Sequence, residues 1–171
     1  MLTLDLSRVR TAAEHFERTY EPAQLAPDES YRVTAPVALA FDIFKDKARF
    51  RIAGTVRTTL ELPCSRCLEP LTWPVDASFD LRYQPQAENT GSDEREVRDD
   101  DLSTAFYVND TIDLEQLMKE QFQLAMPMKP LCSEACRGLC PICGANLNRE
   151  ACDCRPAWDD PRLAVLKALK H

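Results

Sequence analysis

The sequence predicts an α+β protein: an antiparallel β-meander or barrel-like sheet with flanking helices, followed by a C-terminal cysteine-rich, zinc-ribbon-like module. Three observations predict it. Three successive stretches between residues 31 and 83 alternate apolar and polar residues with period two, the pattern of half-buried antiparallel strands. Stretches before and after them carry apolar residues at helical spacing. Eight cysteines fall in four close pairs, and six of the eight lie between Leu131 and Cys154. The natural division is a scaffold of residues 1–130 and a metal-binding segment with a terminal helix, 131–171, packed on it. A chain of 171 residues is long enough for one domain with a small appended module.

Taken in order, LTLDL at residues 2–6 reads as a short strand. Val9, Ala12, Ala13, Phe16 and Tyr20 then fall on one face of a helix ended by Pro22 and Pro27, with His15 on its surface. The first long strand presents Tyr31, Val33, Ala35, Val37, Leu39, Phe41 and Ile43 on one face. The second presents Phe50, Ile52, Val56, Leu60 and Leu62, and the third Leu71, Trp73, Val75, Ala77, Phe79, Leu81 and Tyr83. Lys45–Lys47 suits a hairpin turn, and PCSRCLEP forms the connection between the second and third strands. Pro36 and Pro74 mark edge or bulge positions, because proline cannot donate to a ladder. Residues 85–101 carry two basic and seven acidic side chains with few apolar ones, the composition of a loosely held surface loop. Ala105–Val108 reads as a short strand. Ile112–Met126 reads as a helix with Asp113 as N-cap and an inner face of Leu114, Leu117, Met118, Gln121, Leu124 and Ala125. A last helix begins at Asp160, with Pro161 in its first position.

The cysteines are spaced Cys64-x2-Cys67, Cys132-x3-Cys136, Cys140-x2-Cys143 and Cys152-x-Cys154. Two residues between ligands let one tight turn present both sulfurs to one ion, and four thiolates in a tetrahedron are the usual closed zinc site. Gly144 follows Cys143 and accepts the left-handed backbone such a turn requires, whereas Leu68 stands in that place after Cys67. Loop length favours Cys140, Cys143, Cys152 and Cys154 as one compact site, because a short loop closes at lower entropic cost. Cys64 and Cys67 then join Cys132 and Cys136. A crossed pairing, or a single zinc with free thiols, also satisfies the spacing. Two Zn2+ ions are the leading reading; iron in four-cysteine knuckles also fits. A site filled by four protein ligands leaves no position for water or substrate, which makes its role structural. CSRC in a hairpin also lacks the strand-to-helix setting of a thiol-redox motif.

The net charge of −7 disfavours a large nonspecific nucleic-acid surface. Within that acidic whole, Lys47, Arg49, Arg51 and Arg57 share the polar side of the second strand. They form a basic stripe suited to phosphate contact or, more simply, a solvated sheet face. With two histidines, four glycines and no phosphate-binding loop, the chain offers no catalytic constellation, and the expectation is a protein that is not an enzyme. MLTLDLSRVR has no signal-peptide pattern and no stretch is long enough to cross a membrane. Both point to the cytoplasm, where thiols stay reduced.

CSRCLEP after a hairpin, GLCPICGANLN followed by CDC, and the closing DPRLAVLKALK resemble the large-ribosomal-RNA accumulation family, the YceD family of bacteria and plastids. The resemblance runs over most of the chain and is weakest in residues 1–30 and in the acidic loop. It implies a part in accumulation of the large ribosomal RNA, hence in large-subunit biogenesis. The expected function is a non-enzymatic factor that binds rRNA precursor or a ribosomal protein, with no membrane or small-molecule partner. An acidic adaptor that shields a basic ribosomal protein is the alternative, and a thiol-redox protein the more distant one.

Overall fold

The computed structural model describes residues 2–86 and 104–154. Its strands are β1 (Thr3–Asp5), β2 (Ala13–Tyr20), β3 (Arg32–Val33), β4 (Val37–Asp46), β5 (Arg49–Pro63), β6 (Pro70–Pro85), β7 (Thr104–Tyr107) and β8 (Thr111–Asp113), followed by the helix α1 (Leu114–Ala125). The main sheet runs β2-β4-β5-β6-β7, with β3 also paired to β5, while β1 and β8 form a separate two-stranded ribbon. The β4-β5-β6 centre is the expected antiparallel meander. The sheet remains open, with β2 and β7 at its ends, so it is not a barrel. β7 joins β6 in parallel, so the sheet is mixed.

Period-two alternation places the core. Val37, Leu39, Phe41 and Ile43 of β4 and Phe50, Ile52, Val56, Leu60 and Leu62 of β5 are all buried. Each such side chain, fully buried, contributes roughly 1.5–3 kcal/mol. From β6 the inward positions include Val75, Phe79 and Tyr83. Gly54, opposite Phe41 of β4, has no room for a side chain: a Cβ there would lie 2.2 Å from the Ala40 carbonyl oxygen and 2.5 Å from the Phe41 Cβ. α1 covers the inner face, with Phe122 edge-on to Tyr31 and the Trp73 indole N–H donating to the Ala125 carbonyl at 3.1 Å. Asp113 caps the helix by accepting from the N–H groups of Glu115 and Gln116.

Three further expectations need correction. Residues 13–20 form a strand, not a helix. They pair with β4 in antiparallel register, Phe16 opposite Phe41 and Tyr20 opposite Val37. Phe16 and Tyr20 are four residues apart, a spacing that puts two side chains on one face in either period. Pairing with β4 and the stacking of Phe16 on Phe41 at 5.3 Å decide for the strand. His15 therefore sits on the outer sheet face. The inner face of α1 is the second correction. Phe122 is fully buried and Leu124 is 79% exposed, because Leu124 lies at the flank of the stripe centred on Met118, Gln121 and Ala125. The third concerns the cysteine-rich segment. Between 131 and 154 the only β-pairing is the single bridge Leu139–Asn146, so it is a set of linked turns and not a ribbon of strands. Pro74 is opposite Thr59 of β5, on a part of β6 that β7 does not reach, consistent with an edge position. Most of the acidic stretch 85–101 and the helix expected from Asp160 lie outside the described residues, leaving α1 as the one α-helix among those described.

Candidate metal centres

The β5–β6 connection is a tight turn, CSRC, at the end of the longest hairpin. The Leu68 N–H donates to the Cys64 carbonyl at 3.0 Å, and Leu68 itself is left-handed at φ 61°. In CPIC the Gly144 N–H makes the equivalent bond to Cys140 at 2.9 Å, with Gly144 at φ 75°. The two knuckles thus have the same geometry, although one uses a leucine where an L-residue is disfavoured. The sequence signal of a glycine after the second cysteine marked only one of two equivalent turns.

All eight cysteines are free. Their sulfurs gather into two groups, Cys64, Cys67, Cys132 and Cys136, and Cys140, Cys143, Cys152 and Cys154, with the atoms of each group within 4.8 Å of one another. This is the division that loop length favours, and the crossed pairing is absent. In the first group Cys64 Sγ is 3.8 Å from Cys136 Sγ and Cys67 Sγ is 3.7 Å from Cys132 Sγ. Four sulfurs about 2.3 Å from a zinc ion in a tetrahedron stand about 3.8 Å apart, so these separations fit the ion. They are far too long for a disulfide. Both groups can hold a metal ion with four protein thiolates.

The surroundings suit thiolates. Amide N–H groups of Cys67, Arg66 and Cys132 point at Cys64 and hold its thiol down to about 6, the last at 3.4 Å. The amides of Cys143 and Ile142 hold Cys140 down to about 6 in the same way. The proton is kept elsewhere in each group. Hydrogen bonds with Cys136 and Cys67 push Cys132 up to about 12, and the bond with Cys143 pushes Cys154 up to about 12. A metal ion that takes all four sulfurs as thiolates would release those protons.

The two centres differ in setting. Cys64, Cys67 and Cys136 are buried, with Leu71, Leu131 and Leu139 against them. In the second, Cys143 and Cys154 are exposed. The second centre is tied to the first knuckle at several points. Leu139 N–H donates to the Arg66 carbonyl at 3.1 Å. Within the first centre, the Arg66 guanidinium also donates to the Cys136 carbonyl at 2.8 Å. Glu69 accepts from Arg149 at 2.8 Å and from the Asn146 amide at 3.1 Å.

The basic stripe lies on the outer sheet face as the alternation requires, but its charges are shared. Arg51 is paired with Asp80, and Arg57 with Asp76 at 3.0 Å. Both aspartates come from β6, and the stripe alone could not reveal them, because pairing depends on the β5–β6 register. Lys47 occupies the β4–β5 turn at φ 56°, and Arg49 opens β5 opposite Asp46. Also on this face, His15 lies 2.7 Å from Asp42 and 3.3 Å from Glu17. Those hydrogen bonds, Asp42 foremost, raise its pKa. No helix among the described residues is long and apolar enough to cross a membrane.

Comparison with known proteins bears on this arrangement. A family model described as large ribosomal RNA subunit accumulation protein YceD matches residues 52–170, from β5 through both cysteine groups. The chain is 28% identical over 99% of its length to the chloroplastic large ribosomal RNA subunit accumulation protein YCED homolog 1 of Arabidopsis thaliana, covering 58% of that protein. It is 27% identical to the maize protein of the same name, over 71% of this chain and 49% of that one. An uncharacterized protein of Mycobacterium tuberculosis is 34% identical over 67% of this chain and 53% of its own. The chain spans about half the length of these curated relatives. No solved structure matches.

Proposed function

The chain belongs to the YceD family of large ribosomal RNA subunit accumulation proteins, and from that premise we propose that it is a non-enzymatic binding factor in large-subunit biogenesis. On this reading two Zn2+ ions, one in each four-cysteine group, act as a clasp. The clasp holds the β5–β6 hairpin to the segment after α1 and so fixes the surface that meets the partner, rRNA precursor or a ribosomal protein. The observation that carries the reading is that each group brings together four protein sulfurs. Four thiolates complete a tetrahedral zinc and leave no position for a substrate. The metal's chemistry here is then charge neutralisation and cross-linking. This chain's residues orient the sulfurs through backbone N–H groups and through burial of Cys64, Cys67 and Cys136.

Of the two partner classes, a basic ribosomal protein has a specific observation in its favour. Asp80 and Asp76 neutralise Arg51 and Arg57 within a chain of net charge −7, and each zinc with four thiolates would add two further negative charges. A phosphate backbone would have to compete with those aspartates. The test is capture of large-subunit precursors from cell extract with the tagged protein, with and without RNase. Capture of ribosomal protein that survives RNase supports the protein partner. Loss on RNase, together with loss on charge reversal of Lys47, Arg49, Arg51 and Arg57, supports RNA contact at that stripe. Absence of any large-subunit component in both arms would contradict the proposal.

A further inference from the structure

Asn148 lies in the loop that closes the second cysteine group, between Cys143 and Cys152, yet its side chain reaches the first group. Its Nδ2 donates to Cys136 Sγ at 3.3 Å. The orientation of the amide is fixed by its other end: Oδ1 accepts from the Arg137 N–H at 2.7 Å, so the NH2 end must face the sulfur. Asn146 Oδ1 accepts from the same NH2 at 3.0 Å and from the Asn148 N–H at 3.0 Å, which sets the loop around it. Cys136 is 3% exposed, and a hydrogen bond to a buried thiolate is charge-assisted and stronger than a neutral one. Only Arg137, Gly138 and Leu139 separate Cys136 from Cys140. Within that link Gly138, at φ 76°, lets the chain pass so close to the first knuckle that a Cβ would lie 3.0 Å from the Arg66 carbonyl oxygen, and its own carbonyl accepts from Leu147 N–H at 2.9 Å.

We propose that Asn148 is a positioning residue that couples the two metal centres, so that closing the second centre tightens metal binding at the first. The inference rests on the reading that both groups hold zinc. Closing the Cys140–Cys154 loop around an ion fixes Asn146 and Asn148. Asn148 then supplies one of the bonds that orient and partly neutralise the Cys136 thiolate. Groups that hydrogen-bond to a metal ligand typically change metal affinity about 10–100-fold. By linkage, an ion at the first centre must tighten the second by the same factor.

The experiment is anaerobic titration of the reduced full-length protein with Co2+, followed through the thiolate-to-cobalt charge-transfer band and then by Zn2+ competition. Five chains are compared: the parent, Asn148→Ala, Asn148→Asp, a chain lacking the second centre (Cys143→Ser with Cys154→Ser), and that chain combined with Asn148→Ala. Asn148→Ala keeps all eight ligands and should still bind two ions, with affinity at the first centre about 10–100-fold weaker. Its charge-transfer band should move to lower energy, because a thiolate that loses an N–H donor is more electron-rich; lost packing alone would not move it. Removing the second centre should weaken the first to a similar degree, and adding Asn148→Ala to that chain should change it by no more than about twofold. Asn148→Asp, which sets a carboxylate against the sulfur, should weaken binding more than Ala. Unchanged first-centre affinity in Asn148→Ala, or effects of the two changes that simply multiply, would overturn the coupling while leaving both zinc sites intact. A parent chain that binds no metal would overturn the zinc reading and the coupling together.

Discussion

The two cysteine groups share a knuckle and differ in what surrounds it. The first is built on the longest hairpin of the sheet, with three of its four cysteines buried against Leu71, Leu131 and Leu139. The second closes on itself within residues 140–154, and the described structure reaches it through Glu69 and Cys136 and, at the adjoining Leu139, through Arg66. The lesson is that similar chemistry does different work in the two places. The first centre joins distant parts of the chain, residues 64–67 and 132–136. The second stiffens a short segment and seats it on the first.

The largest expected effect comes from breaking each centre in turn. Cys136→Ser removes a buried ligand that also holds Asn148. Elemental analysis should find the first ion gone and the second weakened, with the segment after α1 released from the hairpin. Cys143→Ser removes an exposed ligand and should cost the second ion, leaving the first bound but weakened. Amide exchange should then rise over 137–154 and stay slow in β4, β5 and β6. If Cys143→Ser unfolded the sheet, the asymmetry between the centres would be wrong.

Next in size is a change confined to the sheet. Gly54→Ala forces a Cβ against the Ala40 carbonyl oxygen and Phe41, an overpacking that costs about 1–3 kcal/mol. Urea denaturation should register the loss while the metal content is unchanged, which separates scaffold stability from clasp integrity.

The knuckles themselves can be exchanged. Leu68→Gly relieves a left-handed leucine and should stabilise the protein, by about 0.5–1 kcal/mol after the entropy of the added glycine is counted. Gly144→Ala should destabilise the second centre by about 1 kcal/mol, since the backbone is left-handed there although the space beside it is open. The changes are opposite in sign because one turn already carries the strain and the other avoids it.

The smallest effect lies on the outer face. His15 gains its bonds to Asp42 and Glu17 only in the folded sheet, so its folded pKa is raised above the ordinary 6.5. Its contribution to stability is therefore full below that value and is lost as pH rises through the raised one. An NMR titration should place the His15 midpoint above 6.5, and Asp42→Asn should lower it.

These regions also differ in how far the sequence discloses them. The meander was legible because its apolar residues alternate along β4, β5 and β6, with interruptions only at Gly54 and Thr58 of β5. Loop length favoured the grouping of the cysteines found in the structure, while the spacing also allowed a crossed pairing. β2 was not legible: Phe16 and Tyr20 satisfy both periods, and only the neighbouring β4 distinguishes them. The partners of Arg51 and Arg57 depend on a cross-strand register that spacing within one strand cannot supply. Leu68 hides a left-handed turn because strain permitted by the surrounding structure leaves no mark on residue type. Asn148 could have been noticed as a polar residue inside a ligand loop, but nothing local ties it to Cys136.

On the proposed reading, the eight cysteines form two closed metal centres that serve as a clasp. Elemental analysis of the purified, reduced full-length protein, with a parallel count of thiols reactive before and after chelation, tests it most directly. Two zinc ions per chain are expected, with thiols that become reactive only once zinc is removed. Fewer than two ions, or cysteines that react freely while the metal stays bound, would contradict it.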